Sequence, residues 1–134
     1  MSQIRILVIA IVFVTLMFGS AAFSGSTKVD LSPVQNSAGV SASGHILFNY
    51  IKQRNKTIMQ VDCWNLQGAV EYSVWGLDAK GKYKKLDSFT TNSSGCGSVN
   101  YICSGKFKYT TIYIASGGGN FDMSNVVLSG KNSG

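Results

Sequence analysis

The feature that most constrains the fold of this chain is a two-residue alternation of apolar and polar side chains in short runs. Ile46, Phe48 and Tyr50 alternate in one run, and Tyr72 and Val74 share a face in another. Val, Ile, Thr, Tyr and Phe dominate these runs, as half-buried strands require. Turn-forming Gly, Asn and Ser residues separate the runs at short intervals. The pattern predicts an all-β fold, an antiparallel sandwich of seven to eight short strands, immunoglobulin-like or jelly-roll-like.

The same alternation predicts the direction of individual side chains. Met59, Val61 and Cys63 are expected to share one face of a strand. The large aromatic side chains expected to face outward are Trp64, Trp75, Tyr109 and Tyr113. A flat aromatic strip can stack on sugar rings or contact a protein partner. The alternative is that loops or a neighbouring subunit cover these rings.

The N-terminal residues predict a secretory signal peptide. MSQIR is a short basic start, residues 6–18 carry no charge, and the small residues of GSAAFS suit cleavage after Ala22 or Ser24. The alternative is an uncleaved membrane anchor, because residues 6–23 approach the length that crosses a bilayer. Either alternative places the rest of the chain outside the cytoplasm, secreted or anchored to a membrane.

Composition then divides the chain into four segments. Residues 1–22 are the signal peptide or anchor, and residues 23–43, rich in Ser and Gly, predict a linker. Residues 44–130 are expected to form the β-sandwich domain, followed by a tail over 131–134. The pattern YSVWGL…YKKLDSFTTNSSGCGSVNY is similar to small exported β-sandwich domains, in which a Y-x-V-W-type strand precedes a strand ending F-T-T and a glycine-bearing hairpin. The resemblance covers about half of the domain and implies no particular activity.

Three cysteines raise the question of a disulfide. Cys96 and Cys103 lie seven residues apart along an expected strand, about 20 Å at 3.3 Å per residue, which is too far for a bridge. Cys63 and Cys103 are expected on inward faces of different strands, and the sequence predicts a bridge between them in an oxidising compartment. Cys96 is then the leftover thiol. The alternative is that all three are small buried thiols.

Groups that carry chemistry are scarce. The cysteines and the single histidine, His45, lack the paired spacing of zinc ligands, and no glycine-rich stretch has the residues of a nucleotide-binding loop. The sequence therefore predicts no metal site and no cofactor. Catalysis would require His45, Asp62 or Glu71 to converge in a cleft, with the last two lying in adjacent expected strands as a carboxylate pair.

A lysine-rich hairpin is the remaining feature, KGKYKK at residues 80–85, with Arg54 and Lys56 in another turn. Such a hairpin can dock acidic glycans or anionic lipid headgroups. The alternative is a solvated hairpin whose lysines discourage aggregation between sheet edges. A formal net charge of +6 over 134 residues is too dilute to indicate nucleic acid.

The expected function is a non-catalytic exported module with a binding or structural role at the cell envelope or outside the cell. The alternative is a carbohydrate- or ligand-binding module, and a small hydrolase is the third hypothesis. The expected partner is a glycan or an envelope or extracellular protein. The candidate ligand-binding residues are Trp64, Trp75, Lys82, Tyr83, Lys84, Lys85, Tyr109 and Tyr113. Asn55 and Asn92 begin glycosylation sequons in expected turns.

Overall fold

The structure, a computed structural model, describes residues 26–34 and 41–132. The predicted signal segment, residues 1–22, lies outside the described residues. The described chain forms eight strands: β1 (Ser26–Pro33), β2 (Ser43–Ile51), β3 (Lys56–Trp64), β4 (Glu71–Leu77), β5 (Tyr83–Thr90), β6 (Gly97–Ser104), β7 (Thr111–Ser116) and β8 (Val126–Lys131). A short 3-10 turn, Met123–Asn125, precedes β8. The all-β prediction is confirmed.

All eight strands are antiparallel neighbours in one sheet with the order β5-β4-β7-β8-β1-β2-β3-β6. Strand β1 joins the two halves, because its first six residues pair with β2 and its last two pair with β8. The edge strands β5 and β6 approach each other at Gly97, where an added Cβ would lie 2.5 Å from the ring of Phe89. The sheet is therefore nearly closed around its core.

Strand β1 corrects the predicted linker over residues 23–43. Val29 and Leu31 point inward and are 6% and 3% exposed, whereas Lys28 and Asp30 are exposed. This alternation is only two apolar residues long and lies in a Ser- and Gly-rich segment, so composition concealed it. The folded domain includes Ser26–Pro33, and Lys131, assigned to the tail, is the last residue of β8.

The core is formed by the inward residues of both halves of the sheet. Met59, Val61 and Cys63 all face inward, as the alternation predicted. The largest apolar side chains with full burial in this core are Ile46, Met59, Val61, Val74, Ile112, Ile114 and Leu128. Because burying one such side chain contributes about 1.5–3 kcal/mol, these residues carry much of the stability of the fold.

Candidate functional site

Four aromatic side chains meet on the outer face of the β4–β5–β7 part of the sheet, and we call Trp75, Tyr83, Tyr113 and Phe121 the aromatic cluster. Trp75 and Tyr113 are directly opposite each other on β4 and β7. Phe121, from the β7–β8 connection, packs edge-on against Trp75 with ring centroids 5.4 Å apart. Tyr83 lies parallel to Phe121, with centroids 3.9 Å apart and planes inclined by 11°.

Exposure differs sharply within the aromatic cluster. Trp75 is only 8% exposed and packs against Phe121, whereas Tyr83 is 40% exposed. The ring available to a ligand is therefore that of Tyr83. Since Tyr83 stacks on Phe121 and also contacts Tyr113 at 5.9 Å, its orientation is set before any ligand arrives. A ring held in this way loses little rotamer entropy on binding.

The β7–β8 connection that carries Phe121 is fixed at both ends. On one side, Ser73 Oγ donates to Gly117 O at 2.6 Å, and Gly117 N donates to Glu71 O at 3.0 Å. On the other side, Asp122 Oδ1 accepts from Ser124 Oγ at 2.8 Å and from Ser124 N at 3.0 Å. These hydrogen bonds from Ser124 lower the pKa of Asp122, so the carboxylate persists under mildly acidic conditions.

Positive charge borders the aromatic cluster. Lys85 is directly opposite Trp75, and its Nζ donates to Gly118 O at 3.4 Å. Lys82 lies in the β4–β5 turn, where Asp78 Oδ1 accepts from the amides of Lys80 and Lys82 at 2.9 Å each. The backbone hydrogen bond from Lys82, followed by that from Lys80, lowers the pKa of Asp78.

Lys84 is opposite Gly76, on the side of the strand away from the aromatic cluster.

Burial, and secondarily the proximity of Tyr83, raises the pKa of Tyr113, so its hydroxyl stays neutral near pH 7.

The structure brings together five of the predicted ligand-binding residues: Trp75, Lys82, Tyr83, Lys85 and Tyr113. Trp64 is separate, on β3, where it packs edge-on against His45 with centroids 5.3 Å apart. Trp75 lies on the outer face as predicted but is only 8% exposed, because Phe121 of the β7–β8 connection covers it, which is the alternative that the sequence left open. The prediction that Tyr109 faces outward is wrong, because it is buried at 6% exposure.

Tyr109 is buried because it lies in a loop, before β7 begins. Strand β7 begins at Thr111, so the two-residue alternation of a strand does not set the direction of Tyr109. Tyr109 lies in the β6–β7 loop, and its ring packs against the backbone of Gly76, where a Cβ would come within 2.6 Å of it. Sequence reasoning also missed Phe121, whose only signal is that it is the one aromatic residue in the Gly- and Ser-rich 116–125 segment.

Of the residues considered for catalysis, His45 and Asp62 lie close together and Glu71 lies elsewhere. His45 Nε2 lies 3.3 Å from Asp62 Oδ2, and these residues are opposite each other on β2 and β3. Glu71 lies on β4, which pairs with β5 and β7, so the expectation that Asp62 and Glu71 occupy adjacent strands is wrong.

The serine opposite Asp62 is also misplaced to act as a nucleophile with His45. Ser98 is opposite Asp62 on the far side from His45, which puts the carboxylate between serine and histidine. A catalytic triad needs the histidine between the other two groups.

The predicted Cys63–Cys103 bridge is not formed. All three cysteines are free. Cys63 is opposite Gly97 at one end of the β3–β6 ladder, and Cys103 is opposite Thr57 at the other end. Both cysteines lie on inward faces as predicted, but the antiparallel register of β3 and β6 separates their thiols by most of the strand length. Burial, and secondarily the charge of Asp62, raises the pKa of Cys63 to about 12.

A shallow cavity of about 420 Å³ lies apart from the aromatic cluster, on strands β1 to β3. Leu47 and Ile58 supply its apolar surface, and Lys28, Asn49 and Gln60 its polar groups. Within residues 26–34 and 41–132, no three His, Cys, Asp or Glu side chains are placed to hold a metal ion. The same residues include no helix of the length and apolarity needed to span a membrane.

The fold and the aromatic cluster thus define an all-β domain of the barrel or sandwich class with one preorganised aromatic surface. No protein-family model matches the chain, and no curated protein matches it.

Proposed function

We propose that this protein is a non-catalytic carbohydrate-binding module that acts outside the cytoplasm and takes its ligand on the aromatic cluster. The observation that carries the proposal is the ring of Tyr83, 40% exposed and stacked at 3.9 Å on Phe121. The proposal includes export by the N-terminal segment and a sandwich of the immunoglobulin-like or jelly-roll-like kind, as the sequence predicts.

The chemistry of the surface favours a sugar over a flat protein partner. A sugar ring has an apolar face that can stack on one aromatic ring, and hydroxyl groups around its edge that need polar partners. Lys85 Nζ and the carbonyl of Gly118 lie beside the aromatic cluster and can meet such hydroxyls. The apolar area that the cluster leaves open is the ring of Tyr83 with parts of Tyr113 and Phe121, much smaller than the core of a stable protein interface.

The order of groups on the β2–β3–β6 face supports a non-catalytic role. Ser98 lies opposite Asp62 on the far side from His45, so the three groups do not have the order of a catalytic triad. The His45–Asp62 contact is explained as a cross-strand pair on the sheet surface, where Gln60 Nε2 also donates to Asp62 Oδ2 at 3.1 Å.

A glycan array probed with the protein and two variants tests the proposal. Tyr83→Ala removes the stacking ring, and we expect a loss of about 1–2 kcal/mol, roughly 5- to 30-fold in Kd, typical of a central aromatic contact. Tyr83→Phe keeps the ring and serves as the matched control, with binding retained within a few-fold. Binding that is equal in all three proteins, or absent from every glycan, contradicts the proposal.

A further inference from the structure

The basic residues of the domain all gather at one end of the sheet. Three connections meet there: the β2–β3 turn, the β4–β5 turn and the β6–β7 loop. Eleven of the twelve Lys and Arg residues of the chain belong to these connections or to the first or last three residues of the strands at this end. We call this surface the basic end. Its members are Lys28, Lys52, Arg54, Lys56, Lys80, Lys82, Lys84, Lys85, Lys106, Lys108 and Lys131, all exposed.

The opposite end of the sheet has no such charge. The β3–β4, β5–β6 and β7–β8 connections, residues 65–70, 91–96 and 117–125, contain no Lys or Arg. Asp78 is the single acidic residue in the three connections of the basic end. Strands of six to nine residues separate the two ends by roughly 20–30 Å, more than twice the Debye length at physiological salt. The two ends are therefore electrostatically independent.

The basic end is one continuous surface, because the β6–β7 loop bridges the two hairpins. Gly105 N donates to Asn55 O at 2.6 Å in the β2–β3 turn. At the far side of the loop, Thr110 N donates to Leu77 O at 2.8 Å at the end of β4. Ile102, 60% exposed near the end of β6, adds an apolar side chain beside this charge.

The point at which the chain enters the sheet favours a membrane over other polyanions as the partner of the basic end. Strand β1 begins at Ser26, and Ser26 pairs with Asn49 near the end of β2, so the chain joins the sheet at the basic end. The apolar residues 6–23, predicted as a signal peptide or membrane anchor, precede Ser26 by only three positions, which can span at most about 10 Å. A bilayer that holds or releases that segment lies on the same side as the lysines.

We propose that the basic end docks on the surface of a bilayer containing anionic phospholipids, with the β2–β3 turn and β6–β7 loop against the headgroups. This docking does not depend on carbohydrate binding by the aromatic cluster. It orients the domain, because only one end of the sheet carries the attraction. Tyr83 lies at the edge of the basic end, and the opposite end points away from the membrane.

Two variants of equal net charge test the placement of the charge. The double variant K52Q/K108Q removes two positive charges from the basic end, at lysines that are not part of the aromatic cluster. The control Q67E/S93E adds two negative charges to exposed positions at the opposite end. Binding of the full chain is measured by co-sedimentation with phosphatidylcholine vesicles with and without phosphatidylglycerol. The ratio of the two partition coefficients cancels any contribution that residues 1–25 make equally to both.

We expect the ratio to fall about fivefold per lysine, hence about 25-fold for K52Q/K108Q, and less than about twofold for Q67E/S93E. Raising the salt concentration weakens the binding of the unchanged chain. An equal loss in the two variants overturns the proposal, because net charge alone then explains binding. Equal binding of the unchanged chain to neutral and anionic vesicles overturns it too. So does binding to soluble polygalacturonate without binding to the anionic vesicles, which assigns the basic end to an acidic glycan.

Discussion

Replacing Phe121 with alanine is the perturbation whose effect follows most directly from the structure. The ring of Phe121 contacts three others, with centroid distances of 3.9 Å to Tyr83, 5.4 Å to Trp75 and 5.6 Å to Tyr113. Each aromatic pair contributes about 0.5–1.5 kcal/mol beyond area burial. Because Phe121 is itself partly exposed and the contacts are shared, we expect Phe121→Ala to lower the free energy of unfolding by about 2–3 kcal/mol.

Two readouts separate this effect from a general loss of fold. For a domain of about 100 residues the expected loss lowers the Tm by about 10 °C, measurable by circular dichroism. In a Trp64→Phe background the emission of Trp75 shifts to the red, because Phe121 no longer covers that indole. The control Ile102→Ala truncates an exposed side chain outside the aromatic cluster, and we expect a change within about 0.5 kcal/mol.

The reasoning is refuted if Phe121→Ala has the same Tm and the same Trp75 emission as its parent. That result would mean that the β7–β8 connection does not pack on the sheet in solution. Tyr83 would then lose its fixed orientation, and with it the physical basis for the proposed site.

Three further predictions concern the core, the thiols and the β4–β5 turn. Gly76→Ala lowers the free energy of unfolding by about 1–3 kcal/mol in urea titrations, because the new Cβ forces the ring of Tyr109 to move; an unchanged midpoint contradicts that packing. Iodoacetamide at pH 8 alkylates the exposed Cys96 quickly but reaches Cys63, with its pKa near 12, only after unfolding; equal rates in the native protein would contradict its burial. Because the pKa of Asp78 is lowered below 3.8, its contribution to the turn is complete above that pH and is lost as the pH falls through the lower, folded-state value. The two lysine amides that donate to it should shift in NMR spectra with a midpoint below pH 3.8, and a midpoint above 3.8 contradicts those hydrogen bonds.

The alternation of side chains predicted the strands well where the surrounding sequence is also rich in apolar and β-branched residues. Strand β3 matches its pattern from Lys56 to Trp64, because each inward residue there packs on the core and each outward residue meets solvent or a polar neighbour. Strand β1 was missed, since its inward residues are only Val29 and Leu31. Short alternations of that kind are outweighed by the composition of their surroundings.

The candidate site was harder to predict, because it depends on which strands become neighbours. Trp75 and Tyr113 are 38 positions apart in the chain, and only the β4–β7 pairing brings them together. Phe121 reaches the same face from a connection, where no periodicity indicates direction. The antiparallel register of β3 and β6 likewise separates Cys63 from Cys103, although both side chains face inward. Non-local pairing of this sort leaves no local signal in a single sequence.

Chemical-shift mapping by NMR, with the oligosaccharide that binds best on a glycan array, tests the central claim most directly. The account predicts that the perturbed amides cluster around Tyr83, Lys85, Gly118 and Phe121, and that Tyr83→Ala strongly reduces the perturbations at the same, sub-saturating ligand concentration. Perturbations centred instead on the cavity at Leu47 and Ile58, or spread without a centre, would contradict the assignment of the aromatic cluster as the binding site.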